Sequence, residues 1–247
     1  MDLLTIGQYN LVFNAFSFTI AVMGAATVFL FLGRSQVAPQ YKTAVTISGI
    51  VTMIALYHYF RIYQSWEAAF TINNGVFKAS GAIFNDAYRY VDWLLTVPLL
   101  LLELILVMGL SREETVKKGT MLAGLAALMV ILGYPGEIAA DSGTRWLWWT
   151  LSMIPFLIIM YQLFVGLSKS IEAQPASVRG LVSSARWITI LTWSFYPVVF
   201  ILPMMGIGGS ESTTAVQVGY TIADILAKAG FGVYIWTIAV RKTDAGI

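Results

Sequence analysis

Apolar residues run along the chain in stretches longer than the core-facing stripe of a soluble helix, broken by short clusters of glycine, asparagine and charge. Seven stretches read as spans: Ile6 to Leu32, Thr43 to about Trp66, Asp86 to Leu110, Gly119 to about Glu137, Arg145 to Leu167, Leu181 to Ile207, and Thr213 to Val240. A helix needs about 20 such residues to cross the hydrocarbon core. The breaks carry turn and charge signals such as Gly33-Arg34-Ser35, Ser111-Arg112-Glu113-Glu114 and Gly208-Gly209-Ser210. The pattern predicts an all-α fold, a seven-transmembrane-helix bundle forming a single domain over residues 1–247. In the longest outside connection, which follows Trp66 and includes Thr71 to Ser80, Asn74-Gly75 predicts a small hairpin.

Composition agrees. The 247 residues are 58% hydrophobic and 11% charged, against about 25% charged in soluble domains. A water-soluble globule and a disordered chain are both excluded. The net charge of +2 gives no field that would draw nucleic acid. The absence of cysteine excludes disulfides and thiolate sites, and a lone histidine leaves no metal site expected. Residues 1–5 lack a basic n-region and no A-x-A site follows, so the first span is expected to stay in a multi-pass protein of the cell membrane. Arg34, Lys42, Arg112, Lys117, Lys118, Lys169, Arg179, Arg241 and Lys242 gather on one side, against Arg61, Lys78, Arg89 and Arg145 on the other. The richer side is expected to be cytoplasmic, with the N-terminus outside and the C-terminus inside.

Several charges lie inside the spans: Asp92 and Glu103 on the third, Asp224 and Lys228 on the seventh, with His58 on the second. A charge at mid-bilayer costs about 2.5–3.5 kcal/mol on insertion scales and normally faces the bundle interior. A buried Lys–Asp pair that only locks the bundle is the structural alternative. Asp92, Thr96 and Glu103 fall on one helix face, with Asp92 and Glu103 about 16 Å apart along the axis. Lys228 and Arg89 balance Asp92 and Asp224. Glu103 stands outside that balance among leucines, where desolvation favours its protonated form. An acid toward the cytoplasm and a carboxylate toward the outside are the minimum for vectorial proton transfer. Lys228 is then either an ion-pair partner in a transporter or an amine that forms a Schiff base with a carbonyl cofactor. Trp93, Trp149, Trp193 and Tyr196 lie on spans three, five and six, where they could sandwich a flat conjugated ligand; a Trp in a membrane helix is more often an interface anchor or packing, but those of spans five and six lie well inside.

Three segments carry a resemblance: Arg89-Tyr90-Val91-Asp92-Trp93-Leu94-Leu95-Thr96-Val97-Pro98, Trp193-Ser194-Phe195-Tyr196-Pro197, and Asp224-Ile225-Leu226-Ala227-Lys228. In this order they resemble the microbial rhodopsins over essentially the whole chain. The resemblance implies all-trans retinal bound to Lys228 as a protonated Schiff base, Asp92 as primary counterion and proton acceptor, and Asp224 as second counterion. It places Trp93, Thr96, Leu100, Met129, Gly133, Trp149, Ser152, Phe156, Trp193, Tyr196 and Pro197 around the retinal. The key Asp92, Thr96, Glu103 is similar to that of outward proton pumps of the proteorhodopsin and xanthorhodopsin kind, with Glu103 as cytoplasmic donor. Leu100 stands where leucine accompanies green absorption. A sensory photoreceptor signalling through a membrane transducer is the alternative.

The resemblance also pairs His58 with Asp92, so a hydrogen bond between them is expected. Trp149 stands where antenna-carrying relatives have glycine, so no ketocarotenoid antenna is expected. Arg89 is expected to help carry charge outward. No release group is evident: Glu67, Glu137, Asp141 and Glu211 are candidates by side only and read as solvated loop charges. Protons and membrane lipids are the expected partners, a homo-oligomer the expected assembly, and no enzymatic turnover is implied.

Overall fold

The computed structural model of the chain describes residues 3–206 and 208–247. Among them, seven helices are long and apolar enough to cross a membrane: α1 (Ile6–Gln36), α2 (Pro39–Ala69), α3 (Ala87–Met108), α4 (Arg112–Ile138), α5 (Ser142–Glu172), α6 (Ala176–Met205) and α7 (Gly209–Asp244). Consecutive helices pack together, and α7 closes the bundle against α1 and α2. The most apolar windows of α3 and α7 are 61% and 56% buried, those of α4 and α6 only 28% and 22%. The two helices that carry the intramembrane carboxylates and the lysine therefore occupy the interior. On α6, Leu191, Phe195 and Val198 point outward, an apolar exterior suited to lipid.

Local chemistry sets the helix ends. Thr5 and Gln8 form a capping box: the Thr5 hydroxyl accepts from the Gln8 N–H at 3.1 Å, and the Gln8 side chain accepts from the Thr5 N–H at 3.0 Å. Ser111 caps α4. Asp141 caps α5, accepting from the Thr144 N–H at 2.8 Å, and that bond holds its carboxyl below the usual aspartate range. Gly109 ends α3 in the left-handed region at φ +68°, where a side chain would be strained.

Several helices overrun the expected spans, whereas α3 (Ala87–Met108) falls just inside its expected Asp86 to Leu110. α4 begins at Arg112 rather than Gly119, and α7 at Gly209 rather than Thr213. The apolar run measures the hydrocarbon, whereas the helical hydrogen bonds continue into the polar interface. The expected end of the sixth span at Ile207 lies outside the described residues.

The helical bundle also carries a small sheet. β1 (Leu4–Thr5), β2 (Phe70–Asn73) and β3 (Val76–Ala79) pair antiparallel, with β3 central. The turn falls where the sequence places it, with Asn74 at φ +49° and Gly75 at φ +77°. Tyr9 of α1 stacks on Phe77 at 3.7 Å between ring centroids, fastening the sheet to the bundle. This end is called the sheet end below.

Candidate functional site

The centre of the site is Lys228, 1% exposed, in a stretch of α7 that widens into a π-helical turn over Ile225–Gly230. Such turns often sit at functional positions. Its ammonium nitrogen contacts Asp92 Oδ2 and lies 3.1 Å from Asp224 Oδ1. Both aspartates are fully buried. Asp224 is held by three donors: Tyr59 Oη at 2.8 Å to Oδ2, and Trp93 Nε1 at 3.1 Å and Tyr196 Oη at 2.7 Å to Oδ1. Asp92 is held far less, since its Oδ1 has no partner among the described residues. One carboxylate is therefore held by several donors, and the other has a free oxygen.

Arg89, one turn before Asp92 on α3, is 2% exposed. Its Nη1 donates to Gln217 Oε1 at 2.8 Å, while Nε and Nη2 find no protein acceptor among the described residues. With Lys228 it balances Asp92 and Asp224, so the buried group is neutral. The Thr96 hydroxyl donates to the Asp92 backbone oxygen at 2.8 Å.

The expected hydrogen bond between His58 and Asp92 is not formed. His58 Nδ1 instead meets the Ile54 backbone oxygen, one helical turn back on α2, at 3.0 Å. That bond stays within α2, and Asp92 meets Lys228 at Oδ2 while its Oδ1 has no partner among the described residues. The neighbouring Tyr59 is the α2 side chain that reaches the counterions, through Asp224.

Glu103 is 0% exposed, and neither carboxyl oxygen has a partner among the described residues. Leu100, Leu101, Leu104 and Ile105 belong to the apolar cluster around its turn. An unpaired carboxylate there would carry an uncompensated desolvation cost.

A cavity with about 730 Å³ of empty space, part of it open, leads to Lys228. Trp93, Leu100, Met129, Gly133, Trp149, Ser152, Phe156, Trp193, Tyr196 and Pro197 all line it. Thr96 does not. Tyr90, Val97, Val130, Met153, Phe200 and Tyr220 complete the lining and were missed, because aromatic and aliphatic residues in a span carry no marker of their own. A Cβ on Gly133 would meet the Tyr90 ring at 3.3 Å and Ser152 Oγ at 3.5 Å, so glycine keeps this wall thin. Trp149 is half-buried between α5 and α6, donating its Nε1 to the Pro197 carbonyl at 3.3 Å. An amine at the end of an aromatic-walled cavity, beside two carboxylates, fits a conjugated aldehyde such as retinal.

Comparison with known proteins places this arrangement. Residues 12–242 match the family model described as bacteriorhodopsin-like protein. The green-light absorbing proteorhodopsin of Gamma-proteobacterium EBAC31A08 is 33% identical over 233 residues, covering 93% of this chain and 87% of its own length. Bacteriorhodopsin of Halobacterium salinarum is 32% identical over 225 residues, 87% of this chain and 79% of its own. The crystal structure of xanthorhodopsin, titled a light-driven ion pump with dual chromophore, superposes with a TM-score of 0.95 at 51% identity, covering 100% of this chain and 98% of that one. The chain belongs to the bacteriorhodopsin-like family, within its proteorhodopsin and xanthorhodopsin group, and is a multi-pass protein of the cell membrane.

Proposed function

We propose that the protein is a light-driven outward proton pump that carries all-trans retinal on Lys228 Nζ. The observation that carries this reading is the pairing of Lys228 with a loosely held Asp92 and a tightly held Asp224, while Glu103 stands unpaired further along the same face of α3. When bound, retinal supplies the light-driven isomerisation that reorients the Lys228 nitrogen.

The residues then divide the work. Asp92 takes the proton from the Lys228 nitrogen at its Oδ2. Asp224 remains as the second carboxylate beside Lys228, held in place by three hydroxyl and indole donors. Neutral Glu103 keeps a proton at its carboxyl until the nitrogen has been emptied, then returns one to it. The apolar packing around Glu103 keeps water out of that half in the resting state. The Lys/Arg distribution supports Glu103 facing the cytoplasm and the sheet end facing outside. Each proton moved against 100 mV requires about 2.3 kcal/mol, so the proton affinities of the Lys228 nitrogen and Asp92 must reverse during the cycle.

The test is spectroscopic. Purified protein given retinal is expected to show a green-absorbing visible band that Lys228→Ala abolishes. A band that survives the substitution would refute the attachment.

Trp149 supports a single chromophore. Its indole closes the gap between α5 and α6 at the Pro197 carbonyl, where a second pigment would have to approach. Added ketocarotenoid is expected to give no energy transfer to retinal in the wild type and measurable transfer in Trp149→Gly, read from excitation spectra. Equal transfer in both would sink this part.

A further inference from the structure

Ionisable side chains are folded into both ends of the bundle, away from the transport centre. At the sheet end, Glu137 on α4 is half-buried, and its Oε2 accepts from Tyr90 Oη at 3.3 Å and from Tyr220 Oη at 3.5 Å, which corrects its reading as a solvated loop charge. Glu67 and Glu211, by contrast, are exposed, and Asp141 is a helix cap.

At the opposite end, Lys242 belongs to the Lys/Arg-rich side, yet it is 1% exposed while Arg241 beside it is exposed. No carboxylate pairs with it among the described residues. Its ammonium donates to the Met108 backbone oxygen at 3.0 Å and lies 5.5 Å from the Tyr41 ring centroid. Met108 ends α3, and Gly109 turns the chain away in the left-handed region, so this carbonyl has no further helical turn to bond. The ammonium therefore sits on the negative end of α3, which partly offsets its desolvation. Gln174, in the α5–α6 connection and 7% exposed, donates its Nε2 to the same Met108 oxygen at 3.0 Å and to the Ser170 oxygen of α5 at 3.1 Å. One carbonyl thus ties α3 to α7 and to the end of α5.

Met108 lies five residues beyond Glu103, about 7.5 Å along the axis. In between, Leu104, Ile105 and Val107 belong to one buried apolar cluster with Leu167 and Ile171 of α5 and Ile238 of α7. Those walls must part before water reaches Glu103 from this end, and Lys242 and Gln174 hold them together at the solvent side of the cluster. An apolar side chain would fill the Lys242 site without the desolvation cost. The ammonium supplies instead a bond that can break and reform as the helix ends separate.

We propose that Lys242 is a positioning residue for proton uptake: with Gln174 it latches the ends of α3, α5 and α7 around the Met108 carbonyl, and the opening of that latch sets how readily water from this end reaches Glu103. The inference rests on the reading of Glu103 as proton donor.

The test places the retinal-bound protein in D₂O in the dark and records infrared difference spectra after a flash. The wild type should lose a carboxylic C=O band that Glu103→Gln lacks, and the time in D₂O before that band moves to its deuterated frequency measures the seal. Lys242→Met and Gln174→Leu are each expected to shorten that time at least about tenfold, as loss of one hydrogen bond from a local opening does. The visible band and proton loss from the Lys228 nitrogen should stay as in the wild type. Amide exchange over Tyr90 to Thr96, in the other half of α3, should also hold at the wild-type rate. If Lys242→Met does not fold, Gln174→Leu keeps the cation and removes the second donor. An exchange time unchanged in every folded variant overturns the latch, and so does faster exchange that spreads to Tyr90 to Thr96, which marks a general loosening. A wild type that shows no such Glu103 band overturns the donor reading, and this inference with it.

Discussion

Replacing Asp92 with asparagine is expected to stop proton transport and move the visible band to longer wavelength. Asparagine keeps the shape of the side chain and removes both the charge and the basic oxygen that meets Lys228. Asp224 is a poor substitute acceptor, since Tyr59, Trp93 and Tyr196 already donate to it. Transport should fall at least about a hundredfold, the lower range for losing a positioned proton acceptor. The colour change has a separate cause. A negative charge beside the Lys228 nitrogen pins positive charge at that end of the conjugated system, and its removal lets the charge spread and lowers the excitation energy. The substitution also leaves two buried cations facing one anion, and breaking a buried pair costs about 3–5 kcal/mol. Its thermal midpoint should therefore drop, although Asp224 at 3.1 Å still pairs with Lys228. Flash-induced pH change and the absorption maximum check the two effects independently.

Glu103→Gln is expected to leave the colour unchanged and slow proton return to the Lys228 nitrogen by about a hundredfold or more. The colour is insensitive because Glu103 lies about 16 Å from Asp92 along α3 and is neutral at rest. The slowing follows because an amide of the same size has no acidic proton, and the apolar cluster around it offers no other donor. Added azide, a small diffusible acid, should restore the rate. Recovery at the wild-type rate without azide would remove Glu103 from the donor role.

The sequence discloses what lipid makes costly. Lys228, Asp92, Asp224 and Glu103 stand out because ionisable groups inside apolar spans need a reason to be there. The hairpin is legible because Asn74-Gly75 tolerates positive φ. Tyr59, Gln217 and Tyr220 are not legible, because an uncharged tyrosine or glutamine in a span is ordinary. Their roles depend on how α2 and α7 are rotated against α3, and the π-helical turn at Ile225–Gly230 shifts that rotation away from a regular period. His58 illustrates the complementary limit: residue type and depth suggest a partner across the bundle, and a carbonyl one turn away on its own helix supplies the bond. Glu137 lies at the edge of its apolar run, where sequence alone cannot separate a solvated charge from one folded back under Tyr90 and Tyr220.

The most direct test is the pH of the medium around illuminated cells that carry the protein and have been given retinal. The account predicts acidification under green light, abolished by a protonophore and absent in cells carrying Lys228→Ala. A medium whose pH holds steady or rises under light, despite a full visible band, would contradict outward pumping and favour a sensor or an inward path.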